Sequence, residues 1–172
     1  MTRFNLDSLQ GAAITDVHVA GFVQKDEHPI RFYALYRVVF VEFDRAMLRL
    51  SVLGDSGHLQ LVSVDALRFD AELDDDMLPA VTSVGQMVLR DPDGTNALLA
   101  VQLWDLRGTA NALQCAALRF DLVNGQKLFV DPSFHFGIRM GGQDHEDAWK
   151  QNWTGAPVEP TEFAASSRPD PG

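Results

Sequence analysis

Apolar and polar positions along this chain alternate mostly with a period of two. From Ile14 onward, Val17, Val19, Gly21 and Val23 alternate with Asp16, His18 and Ala20, the pattern of a half-buried strand. Lys25-Asp26-Glu27-His28-Pro29 is a polar turn, and Ile30 to Phe43 is dense in Tyr, Phe and Val on both faces, as a strand inside a sheet or sandwich would be. Asp44-Arg45 turns this run into a strand over 46–53, and Gly54-Asp55-Ser56-Gly57 turns that one into His58–Val64. The result is a three-strand meander.

A second set follows. Val84–Arg90 reads as a strand, Asp91-Pro92-Asp93-Gly94 as a turn, and Ala97–Leu106 as a strand. Gly108 makes another turn before a strand at Leu113–Leu122. Asn124-Gly125 is the strongest hairpin signal, since both residue types tolerate positive φ, and Lys127–Val130 returns as its partner. Ile138–Met140 adds a short edge strand. Helix is scarce: one turn within Asn5–Gln10, a short helix over 77–87 weakened by Val81, Thr82 and Val84, and a better one over Gln143–Trp153 with Asp144, Glu146 and Asp147 near its start.

The two sets share letters as well as pattern. Ala66-Leu67-Arg68-Phe69-Asp70 recurs as Ala117-Leu118-Arg119-Phe120-Asp121, and a shift of 51 residues lays 46–70 on 97–121 with eight identities. Such a repeat suggests two copies of one supersecondary unit. The fold class expected is therefore mainly β: two related antiparallel meanders forming a sandwich or partly closed barrel, with one or two short helices. Alternation puts Leu67 and Phe69, or Leu118 and Phe120, on the core face, with Arg68 and Arg119 opposite. Residues 1–153 form a single globular domain. Residues 154–172, with four prolines and few apolar anchors, are expected to be a disordered tail.

Composition narrows the class. The chain has 172 residues, 46% of them apolar, with eleven Phe and three Trp, enough for a substantial core. One cysteine, Cys115, excludes an internal disulfide framework and fits a reducing compartment. No cationic start runs into an apolar stretch, and charged residues interrupt every apolar run, so a cytoplasmic protein without a membrane span is expected. A net charge of −10 argues against nucleic acid and against anionic membrane surfaces, both of which need a basic face.

Candidate chemistry is sparse. No two of the histidines His18, His28, His58, His135 and His145 lie closer than ten residues, so a zinc set such as Asp131, His135 and His145 would have to be assembled by the fold. Cys115 sits in an apolar segment opposite Val64 of the first copy, which marks packing. Gly141-Gly142 lacks the context of a phosphate loop, and no nucleophile elbow or dinucleotide fingerprint is present. No catalytic residue, metal or organic cofactor is expected. One segment does stand out. Asp70, Glu72, Asp74, Asp75 and Asp76 put five carboxylates within seven residues, with no base among them. Like charges this close must stay solvated, in an exposed loop or edge. They are the expected partner-binding residues, because clustered carboxylates steer a basic protein.

The stretch Phe120-Asp121-Leu122-Val123-Asn124-Gly125-Gln126-Lys127-Leu128-Phe129-Val130-Asp131-Pro132 resembles a recurrent ending of small bacterial immunity proteins: an apolar strand, a Gly turn, and a second strand ending near Pro. Size and acidity are similar to that group too. The resemblance implies a protein that neutralises a toxin by binding it, and it carries over no individual site residue. Two other readings stay open: a ligand carrier or enzyme with a pocket between two sheets near His58, His135 or His145, and a homo-oligomeric scaffold pairing through strand edges. The pattern leaves the oligomeric state undetermined.

Overall fold

In the computed structural model, which describes residues 6–109, 112–133, 135–155 and 159–164, the N-terminal alternation becomes one continuous meander. After a 3-10 turn at Leu6–Leu9 come β1 (Ile14–Gln24), β2 (Phe32–Phe43), β3 (Met47–Val52) and β4 (Leu59–Val64), each antiparallel to the one before. β5 (Met77–Ser83) returns to the far side of β1, and the one-turn helix α1 (Gly85–Val88) follows. The order continues with β6 (Leu98–Trp104), β7 (Arg107–Thr109), β8 (Ala112–Cys115), β9 (Ala117–Leu122), β10 (Lys127–Asp131) and β11 (Arg139–Gly141). It closes with α2 (Gln143–Asn152) and β12 (Thr161–Ala164).

Two antiparallel sheets result, β5-β1-β2-β3-β4-β8-β7 and β11-β10-β9-β6-β12. The molecule is mainly β and sandwich-like, not a closed barrel. Period-two alternation builds the core: Val17, Val19, Val39, Val41, Leu48, Leu50, Leu59 and Leu61 from the first sheet meet Val101, Leu103, Leu118, Phe120, Leu122 and Val130 from the second. Phe120 lies edge-on to Phe43. On the outer face of the second sheet α2 makes a further layer, with Trp149 packed against Trp104, Phe129, Ala116 and Ala117.

The region between the meanders departs from the sequence pattern. Residues 77–83, expected as part of a helix, are a strand in full register with β1. The β-branched Val81 and Thr82 favour that outcome. The bonds Lys25 N–H to Asp76 C=O and Val84 N–H to Val17 C=O set the phase, so that Pro79 faces away from β1, where its missing donor leaves no gap in the ladder. The strand expected at 84–90 is instead α1. Asp16 accepts hydrogen bonds from the Ser83 hydroxyl and the Gly85 N–H, which ends β5 and opens the turn.

The strand expected at Leu113–Leu122 splits at Ala116. β8 pairs with β4 in the first sheet and β9 with β6 in the second, so the chain changes layers at a small, fully buried residue. The repeated letters therefore enter different pairings. β3 lies directly beside β4, whereas β6 pairs with β9. Ala117–Asp121 is held between β6 and β10, while 66–70 forms no strand, so Leu67 and Phe69 are only half buried and lie outside the core. A register shift between Leu98 and Ala100 also turns Leu99 outward, where its counterpart Leu48 is fully buried.

The expectation of disorder from residue 154 is corrected at 161–164. β12 pairs with β6 from Thr161↔Leu103 to Ala164↔Ala100, the half-buried Phe163 packs on the core, and Gln10 Nε2 donates to the Ala164 carbonyl at 2.8 Å. An exposed side of β6 offered a ladder, and Phe163 anchors the strand on it. Residues 165–172 lie outside the described residues.

Candidate functional site

The five carboxylates lie on a strap. β4 and β5 are separated in the first sheet by β3, β2 and β1, so residues 65–76 must cross the outer face of that sheet to connect them. Phe40 and Ala20, on that outer face beside His18 and Arg49, are fully buried although they are outside the inter-sheet core. Asp70, Glu72, Asp74, Asp75 and Asp76 are all exposed, and among the described residues none of the five carboxylates forms an ion pair. The strap is fastened through its backbone instead: Lys25 Nζ donates to the Asp75 carbonyl at 2.5 Å, and the Lys25 N–H to the Asp76 carbonyl at 2.9 Å. Under it lies a recess of about 580 Å³, in which Arg37, Arg49 and Ser51 of the sheet share a lining with Asp70 and Glu72.

A large bulge in β2 forms the second feature. Val19 pairs with Val39 and Gly21 with Ala34, so Ala20 alone stands opposite residues 35–38. Tyr36 takes φ +52°, a conformation that bulky residues rarely adopt. Its carbonyl accepts the Ile138 N–H at 2.6 Å. Gly137, at φ +114°, permits this approach, because a Cβ there would lie 2.4 Å from the Tyr36 oxygen. Three recesses meet at the bulge. Leu35 and Arg37 line both the strap recess and another of about 450 Å³ with Asp55, Ser56, Ser133 and His135. Tyr36 lines an apolar cleft of about 490 Å³ with Met87 and Phe136. Arg37 Nη2 donates to the Gly54 carbonyl at 2.9 Å.

Three of the histidines sit in separate local pairs, His18 with Glu42, His58 with Asp105 and His145 with Asp144. His58 has Nδ1 2.9 Å from the Ser56 carbonyl and Nε2 3.2 Å from Asp105 Oδ2, and its ring lies edge-on to Trp153. Burial works against charge on Asp105, yet hydrogen bonds from Arg107 and His58 prevail and hold its carboxyl below the ordinary range. Asp131 accepts from the Ser133 N–H and hydroxyl and lies 3.4 Å from Arg139, while His145 faces Asp144. Asp131, His135 and His145 thus have separate surroundings. Among the described residues no group of three or more His, Cys, Asp or Glu is placed to hold a metal ion. Cys115 is buried opposite Leu59, and burial, with the nearby Asp105 charge, pushes its thiol far above the ordinary range. A thiol held protonated is a poor nucleophile.

The sequence pattern missed the environment of Arg119. It does point away from the core, as alternation requires, but α2 covers that face. Its Nε lies 2.8 Å from Asp121 Oδ1, Nη2 donates to Asp121 Oδ2 at 3.0 Å, and Nη1 donates to Glu146 Oε2 at 2.6 Å. Lys150 reaches Glu146 from the next turn and lies over the Trp104 ring. The signal was present in α2: Trp149 and Trp153 four apart beside Glu146 and Lys150 four apart mark a face that buries aromatics together with charge. This network positions α2. No protein-family model matches the sequence, and no curated protein and no solved structure matches it.

Proposed function

We propose that this chain is a non-catalytic protein-binding module, most concretely an inhibitor of the immunity type, whose acidic strap meets a basic face of its partner. The observation that carries this reading is the state of the strap: five exposed carboxylates with no cationic side chain paired to them among the described residues, in a chain of net charge −10. Unpaired surface carboxylates project a field that accelerates encounter with Lys and Arg, and they lose little solvation until contact. Fastening through backbone bonds at Lys25 holds the strap in place while leaving its side chains available.

The test begins with a partner recovered from the native cell and proceeds to kinetics. Replacing Asp74, Asp75 and Asp76 together by Asn is expected to slow association by about tenfold at low salt and to flatten its salt dependence, with a smaller effect on dissociation. Association at the wild-type rate at low salt would remove the strap from the contact. A partner that is turned over as a substrate would overturn the inhibitor reading itself.

A further inference from the structure

Arg49 is a cation without an acceptor. It stands in the middle of β3, between Phe40 of β2 and Val62 of β4, and it points to the outer face of the first sheet, which the strap crosses. The residue is partly buried and its Nε is buried outright. Among the described residues Nε has no hydrogen-bond partner and the guanidinium forms no ion pair. Arg119 and Arg139, the other arginines with a buried Nε, each face a carboxylate. A charged donor taken out of water and left unpaired is costly, so Arg49 points to an acceptor that comes from outside the chain.

The recess that Arg49 lines selects the ligand. Arg37 joins it from the β2 bulge, Ser51 adds a hydroxyl from the same face of β3, and the strap contributes Asp70 and Glu72. Two guanidinium groups and two carboxylates thus line one space, yet among the described residues no ion pair joins them. A ligand that brings both a carboxylate and an ammonium group serves both sets. The charge of the whole chain favours the same choice. With ten more acidic than basic groups it repels a free anion, whereas a ligand of zero net charge is not repelled. The rest of the lining, Leu35, Val38, Val52 and Phe69 with two alanines, is apolar and suits a hydrocarbon side chain. A volume of about 580 Å³ lies within the small-molecule range, roughly 300–1,000 Å³.

We propose that the recess between the strap and the outer face of the first sheet binds a free apolar α-amino acid, its carboxylate at Arg49 and its ammonium group at Asp70 and Glu72. This goes beyond protein binding and does not depend on a partner. The probe is L-leucine, titrated calorimetrically into the full chain. Its counterparts are 4-methylpentanoate, which lacks the ammonium group, and 3-methylbutylamine, which lacks the carboxylate. Saturable one-to-one binding of leucine is expected, with each counterpart at least about tenfold weaker. Arg49→Gln should weaken leucine by about tenfold and leave the amine unchanged. Asp70→Asn together with Glu72→Gln should weaken leucine to a similar extent and leave 4-methylpentanoate unchanged. Both carboxylates are exposed, so this double variant keeps the test decisive if Arg49→Gln proves unstable. Without ligand, Arg49→Gln should unfold at no lower urea than wild type, because no contact of the guanidinium is lost. A lower midpoint would give Arg49 an acceptor within the protein and overturn its assignment to the ligand. Absence of saturable leucine binding, or binding indifferent to both variants, overturns the proposal. Equal affinity for leucine and 4-methylpentanoate would make the site one for a simple anion and overturn the amino acid.

Discussion

Arg119 illustrates how one residue can satisfy its strand's alternation and still be buried. Its neighbours Leu118 and Phe120 fill the inter-sheet core, and its own side chain enters a second interior beneath α2. Burial there is tolerable because Asp121 and Glu146 together neutralise the guanidinium and accept hydrogen bonds from its Nη2 and Nη1. Glu146 is 99% buried by the same arrangement. Burial opposes its charge, but hydrogen bonds from Lys150 and Arg119 outweigh that and hold its carboxyl below the ordinary range. A carboxyl depressed on folding stabilises the native state above its unfolded value, about 4.3, and that contribution is lost as pH falls through the lower folded value. Urea midpoints measured from pH 6 to pH 3 should therefore show wild type well above Glu146→Gln at pH 6, with the two curves converging on acidification. A difference independent of pH would mean that packing, not charge, makes this contact.

At the level of elements, β12 shows what a short segment contributes when it finds a ladder. Four residues pair with the edge of β6, Gln102 Nε2 donates to Glu162 at 2.9 Å, and Phe163 reaches the core. A half-buried aromatic ring and a few edge hydrogen bonds stabilise by about 1–3 kcal/mol. A chain ending at Pro160 should unfold at correspondingly lower urea, and Phe163→Ala should reproduce part of that loss. Unchanged stability in both variants would show that β12 does not hold its place in solution. The opposite sheet manages its edge differently, with Pro79 turned outward on β5 where a pairing strand would need a donor.

Over the whole molecule, charge acts against compactness. Five of the acidic groups behind the −10 net charge lie within seven residues of a strap that crosses the outer face of the first sheet, and like charges this close in the chain repel one another. Screening shortens from about 30 Å at 0.01 M to about 8 Å at 0.15 M salt. The urea midpoint should rise over that range, and the variant with Asn at 74, 75 and 76 should show a smaller rise. A midpoint that falls with salt would mean that exposed ion pairs contribute more than the strap's repulsion.

Local pattern decided the strands of the first meander, the Asn124-Gly125 hairpin, where Gly125 has φ +82°, and the helix after Gly142. Period-two burial, turn chemistry and an acidic helix start are properties of neighbouring residues, so they are written in neighbouring letters. The exposure of the five carboxylates was legible for the same reason, since a dense like charge must remain in water. The use made of identical letters was not. Ala-Leu-Arg-Phe-Asp is irregular at 66–70 and a central strand at 117–121, because only the second copy lies between two strands with unsatisfied backbone groups. Nor does any local signal say that the 65–76 connection must cross a sheet, that Ala116 is where the chain changes layers, or that Tyr36 and Gly137, a hundred residues apart, press together to shape a cleft. Those outcomes depend on which strand edges are left to pair and which faces are left to cover, and they are set only when the whole chain has folded.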